Sequence, residues 1–282
     1  MAAVGQGEGD WREQLRERLF DQEVLVRINA FFLTYFGWIA FGVLYGVIGR
    51  WSANVTGDLL RLPFTSREMV VSLVSFTRHV PPLYYLFNGV YYLGFAGSIA
   101  LVVIYVLVYM RDLETSDRLL GMYLTGYTVA GIIYLLFHVY APHVVYNLPG
   151  YSSENTLFTR QEFVFPSLHN TFITINIIAL WKYRDRLGGK LLILINSLVP
   201  FATLFLGHHW IYDIIGGIVL GTIVSRLPMK WGVGASRSLY RMELSSLQKV
   251  TAINLILVLI VLILAARPER AVELLGNLLG NT

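Results

Sequence analysis

Cysteine is absent from the 282-residue chain, and charged side chains make up only 14% of it. The first absence excludes disulfides, thiolate metal sites, haem attachment through thioethers and cysteine nucleophiles. The second excludes an ordinary soluble domain, in which about one quarter of the residues are charged. The opening residues, MAAVGQGEGDWREQ, lack the charged-then-apolar layout of a signal peptide. No internal repeat or low-complexity tract is present. What the chain has instead is 55% hydrophobic residues, gathered into long runs. A membrane span needs about 20 mostly apolar residues, and seven segments fit that pattern: 25–49, 83–110, 119–140, 166–181, 191–207, 210–225 and 251–266. The predicted fold is all-α, a polytopic transmembrane helix bundle.

The remaining segments are short. In residues 10–23, Trp11, Leu15 and Leu19 recur every four positions among charges. That spacing predicts an amphipathic helix at the membrane surface, with a solvated helix as the plainer reading. MVVSLVSF, residues 69–76, is too short to span and is expected to lie along the surface. The sequon Asn54-Val55-Thr56 matters only in a glycosylating secretory pathway. The expected division is an interfacial helix in 1–23, a six-span core in 24–226, a basic linker in 227–249, and a seventh span with its tail in 250–282.

The net charge of +4 comes from 22 basic and 18 acidic residues. Its distribution says more than its size. Seven spans put the N-terminus and alternate loops on one side, which carries fifteen Lys and Arg residues against seven on the other. By the positive-inside rule the N-terminus is expected in the cytoplasm and the 141–165 loop outside it. The basic charge thus reads as a topology signal, with anionic lipid head groups as secondary partners. No nucleic-acid partner is expected.

Histidine is the one side chain whose unperturbed titration falls near neutrality, and the six histidines are unevenly placed. His138 and His143 flank the end of the third span, His169 opens the fourth, and His208 and His209 open the sixth; His79 stands apart. Two stretches carry most of the chemistry. In F-V-F-P-S-L-H-N, residues 163–170, Pro166 suits a helix start, leaving Ser167 and the first-turn amides as an anion site beside His169. In G-H-H-W-I-Y-D-I-I-G-G, residues 207–217, His209 and Asp213 are four apart and share one helix face. Asp213 can hold one imidazole nitrogen of His209 and leave the other's lone pair free to attack. A carboxylate within a span points to function by default. Each stretch has a plainer reading: an ordinary helix cap, a structural His–Asp pair, or a metal site at His169, His209 and Asp213. Together, forty residues apart and each opening a span, they are far more specific.

That combination resembles the type 2 phosphatidic acid phosphatase superfamily of membrane lipid phosphatases. It is most similar to the inositol phosphorylceramide synthase branch, in which P-S-L-H and H-H-x-x-x-D-x-I-G-G wording recurs. The resemblance covers 24–226, a six-span phosphatase-like core to which the seventh span is an addition. Leu168 stands where the phosphatases usually have glycine. The Ser-Arg pair of the third motif falls on Ala202 and Thr203. Of the first motif, Lys-x6-Arg-Pro, only Pro142 is kept, with Tyr134 and Ala141 at the basic positions.

The resemblance implies a lipid-phosphate phosphatase or phosphotransferase with its active site at the extracytoplasmic face. His209 is implied as the nucleophile that becomes phosphohistidine, Asp213 as its orienting carboxylate and His169 as the general acid and base. No metal or other cofactor is implied. Phosphoryl transfer depends on positioning and on stabilising negative charge, so the missing Lys and Arg need substitutes. Arg160 is the leading one, followed by His138, His143 and His208, with Ser167 and backbone N–H groups contributing. The expected partners are a phosphorylated lipid substrate, the bilayer, and water, an alcohol or a second lipid as acceptor. The rival reading is a carrier that binds a phosphorylated lipid without reacting with it, although neither broken helices nor pseudo-symmetric halves are evident.

Overall fold

A computed structural model describes residue 13 and residues 17–94, 96–151, 160–227 and 238–266. The chain is an all-α helical bundle; among the described residues, strand pairing is confined to two two-residue pieces and one isolated bridge, Val139 to Phe163. Each apolar run of the sequence becomes helix. Helix α1 (Gln22–Ile48) starts at Asp21, whose side chain accepts the Glu23 N–H at 2.8 Å. The interfacial helix expected over 10–23 falls partly outside the described residues, Trp11 and Leu15 included, and Asp21 already caps α1. Helix α2 (Arg67–His79) is capped by Ser66 and turns Val70, Val74 and Thr77 inward. It covers the segment 69–76 and, at 13 residues, is too short to cross a membrane.

The long run 83–110 folds as two pieces, α3 (Pro81–Gly94) and α4 (Ala96–Val103), the latter running into a π-helical stretch at Ile104–Tyr109. Helix α5 (Leu113–Leu136) begins at Asp112, which accepts the Thr115 N–H at 3.0 Å. It stops four residues before the expected position 140. There Phe137–His138 (β2) pairs in parallel with Ala53–Asn54 (β1), taking the backbone out of the helix. Helices α6 (Leu168–Leu180), α7 (Leu187–Phe205), α8 (Ile211–Arg226) and α9 (Leu244–Ala266) complete the bundle.

Among the described residues, four helices are long and apolar enough to cross a membrane: α1 with its extension to Trp51, α5, α7 and α9 as far as Val261. Helices α6 and α8 have only 13 and 16 residues. The shortness of α6 is tolerable because it is central, packed against α5, α7 and α8. Its Asn176 is fully buried, takes the Tyr123 hydroxyl of α5, and donates to Asn196 of α7 at 2.9 Å. Helix α9, by contrast, exposes Ile253, Leu255, Ile256 and Leu259, as a lipid-facing helix does. Its inner face meets α1 through Asn29, which donates to Thr251 Oγ1 and accepts from Asn254, each at 2.8 Å.

The two ends of the bundle differ in chemistry. At one end, Arg27 makes a forked pair of 2.9 Å bonds to Asp117 and a 2.6 Å contact with Glu23. Arg111 pairs with Asp21, and Lys182 with Asp112. Asp112 is held well below the usual carboxylate range: hydrogen bonds from Lys182, Tyr183 and Thr115 outweigh the opposing effect of its burial. The other end holds the histidines.

Candidate active site

The site is built where α7 stops. Helix α7 ends at Phe205, and the chain turns through Gly207 at φ +69°, a left-handed conformation that costs glycine nothing. The turn lets one carbonyl, that of the fully buried Thr203, accept the backbone N–H groups of both His208 and His209, at 3.0 and 3.1 Å. Trp210 follows, and Asp213 in the first turn of α8 accepts its N–H at 2.7 Å through Oδ2. The carboxylate is thus an N-terminal cap as well as a neighbour of His209, whose Nδ1 lies 3.6 Å from the same oxygen. The i, i+4 spacing brings these two side chains together, but at 3.6 Å they stand just beyond hydrogen-bond distance, so the expected bond between them is not made.

The second stretch arrives on α6. Ser167 is the N-cap, taking the Asn170 N–H on its hydroxyl at 3.3 Å, while its own N–H donates to the Asp213 carbonyl at 3.1 Å. Its Oγ lies 3.2 Å from His209 Nε2. The two rings of His169 and His209 stand edge to face with centroids 5.5 Å apart. His209 and Asp213 are buried, whereas His169 and His208 are only partly so. The nucleophile candidate is therefore the most enclosed of the histidines in this group.

Glycine makes this closeness possible. A Cβ at Gly217 would lie 2.4 Å from the Ser167 carbonyl oxygen, and one at Gly221 would lie 2.5 Å from that of Thr171. The pair, four residues apart, lets α8 seat against the start of α6 as small residues do in membrane helix pairs. Any larger residue at Gly217 would push Ser167 away from His209.

The other histidines divide. His208 stacks on Tyr91 of α3 with centroids 4.0 Å apart, and His169 stands 5.3 Å from the same Tyr91 ring. His143 lies 5.1 Å from His208 and sits between the Gly207 carbonyl (3.0 Å from Nδ1) and the Gln161 amide (3.1 Å from Nε2). Burial pushes its pKa below the usual histidine value, against the opposing effect of those two bonds. His138 lies elsewhere, with Nδ1 3.0 Å from Ser52 Oγ, and is lowered by burial with Glu162 acting against it. Arg160 is laid along α1: its Nη2 donates to the Gly42 carbonyl at 3.1 Å, and its Nη1 is 3.9 Å from Glu162. Neither residue is joined to the His169–His208–His209 group by a contact among the described residues.

Four participants were not picked out from sequence: Asn170, Thr203, Gln161 and Tyr91. Asn170 could have been found as the third residue after a serine cap; the others are brought in by packing. Among the described residues no group of three or more His, Asp or Glu side chains is arranged to hold a metal ion. A narrow crevice lined by Met69, Val70, Leu73, Pro142 and Leu204 reaches His209 from beneath α2, giving the site an apolar side.

No solved structure matches the chain. An uncharacterized protein of Methanocaldococcus jannaschii is 28% identical over 226 residues, which cover 78% of this chain and 90% of that one. Residues 115–237, the stretch from α5 through α8 that contains Ser167, His169, His209 and Asp213, match the PAP2 superfamily.

Proposed function

We propose that the chain is a membrane phosphatase or phosphotransferase acting on a phosphorylated lipid through a phosphohistidine at His209. The observation that carries this reading is the environment of one imidazole. Its Nδ1 faces the Asp213 carboxylate at 3.6 Å, its Nε2 faces the Ser167 hydroxyl at 3.2 Å, and the His169 ring is 5.5 Å away. The proton then rests on Nδ1, facing Asp213, and Nε2 keeps its lone pair.

In the first step Nε2 attacks phosphorus, a P–N bond forms, and the P–O bond to the lipid alcohol breaks. Protonated His169 gives its proton to the departing oxygen. In the second step His169, now neutral, takes a proton from water or an alcohol; that oxygen attacks phosphorus, and the P–N bond breaks. His209 is regenerated, and Asp213 balances its charge in between. The non-bridging oxygens are met by the Ser167 hydroxyl, by first-turn N–H groups of α6 and by His208. His143, His138 and Arg160 would join them only by leaving Gln161 or Gly207, Ser52 and Gly42, respectively.

The inositol phosphorylceramide synthase-like wording of both motifs supports an alcohol acceptor and a role in lipid metabolism. The positive-inside count supports a site at the extracytoplasmic face with the N-terminus in the cytoplasm. Turnover of a panel of lipid phosphates, with and without added alcohols, tests the proposal. Release of inorganic phosphate marks a phosphatase, and a new phosphodiester marks a transferase. Binding without either product marks a carrier and overturns the reading.

A further inference from the structure

We infer that Asn170 is a positioning residue that sets the tautomer of His209 through Ser167. The inference rests on the proposed role of His209 and adds a device that neither motif describes. Asn170 is fully buried in the first turn of α6. Its Nδ2 donates to Ser167 Oγ at 2.9 Å and lies 3.4 Å from Thr203 Oγ1. Its backbone N–H donates to the same Ser167 oxygen.

A serine hydroxyl has one proton and two acceptor lone pairs. With both lone pairs taken by Asn170, the Ser167 proton is left to donate, and the acceptor in reach is His209 Nε2 at 3.2 Å. A neutral imidazole that accepts at Nε2 must carry its proton on Nδ1, the atom that faces Asp213. Hydrogen-bond direction therefore runs from the amide of Asn170, through Ser167, to His209. This leaves the attacking nitrogen unprotonated before substrate arrives. When a phosphoryl group enters, the Ser167 hydroxyl can turn its proton to a phosphoryl oxygen and release the Nε2 lone pair.

An amide can do this where a carboxylate cannot. An ionised aspartate at 170 would only accept; the Ser167 proton would turn to it, and Ser167 Oγ would accept from Nε2–H, the tautomer unable to attack. A protonated aspartate can still donate. The other titratable groups around this chain are His169 on α6, His208 and Asp213 on the α7–α8 segment, His143 in the 141–165 loop and Tyr134 on α5.

The test pairs kinetics with spectroscopy on the full-length protein. Asn170→Asp should lower kcat roughly 100-fold at alkaline pH with little change in KM, and recover activity as its carboxyl protonates. Asn170→Leu, close in volume, should lose a similar factor at every pH. In 15N-histidine spectra of the unliganded protein, assigned with His209→Gln, wild type should show His209 protonated at Nδ1. Asn170→Asp at alkaline pH should show the proton on Nε2. An Asn170→Asp profile parallel to wild type, or one His209 tautomer in both proteins, would overturn the inference. Wild type that turns over no phosphate ester would contradict the phosphoryl-transfer reading alone, and the tautomer comparison would still decide the role of Asn170.

Discussion

The two nitrogens of His209 have different tasks, so substitutions around the ring separate them. His209→Ala removes the attacking atom and should abolish turnover, measured by phosphate release. Asp213→Asn keeps the shape but removes the charge opposite Nδ1, 3.6 Å away; kcat should fall by about 10²–10⁴. His169→Ala should damage substrates with poor leaving groups most, because an activated phenol leaves without a proton. Comparable losses on phenyl and alkyl phosphates would argue against an acid role. The sequence made these residues legible because histidine, serine and aspartate announce their chemistry by type and spacing. Arg160 shows the limit of that method. The sequence favours it as the basic residue of its loop, but its guanidinium lies along Gly42 and Gly46 of α1, a course that spacing does not reveal.

Helix α8 can act as a scaffold for the site only if it touches α6. Gly217→Ala inserts a methyl 2.4 Å from the Ser167 carbonyl. It should destabilise the protein by about 1–3 kcal/mol and reduce kcat. Gly89→Ala, with no atom within 4 Å of the new Cβ, is the matched control and should do neither. Melting in detergent and activity on the same samples check both. The helices themselves were readable as apolar runs. The early end of α5 was not, because Phe137–His138 is drawn into pairing with residues more than eighty positions away. Likewise the G-G wording could be seen, but not that Gly217 faces a carbonyl.

For the molecule as a whole, pH and orientation are the informative variables. The pKa of buried His143 is depressed below 6.5. Its ring is neutral in both states above about pH 6.5, where the fold is unpenalised. As pH falls, the unfolded chain takes the proton first, and stability is lost down to the folded-state pKa. Wild type should lose more melting temperature between pH 7.5 and pH 5 than His143→Gln; parallel losses would contradict the assignment. The absence of cysteine makes topology easy to measure with single introduced thiols. In oriented vesicles, Asp58→Cys at the histidine end should react with an impermeant maleimide from outside, and Arg184→Cys should react only after permeabilisation. The reverse pattern would put the site on the cytoplasmic side.

The central claim is a covalent one, and mass spectrometry addresses it directly. Protein quenched during turnover of a lipid phosphate should carry a phosphoryl group on His209, stable in alkali and lost in acid, and absent from His209→Ala. A phosphoryl group found on another residue, or none under conditions of steady turnover with a slowed second step, would contradict the account.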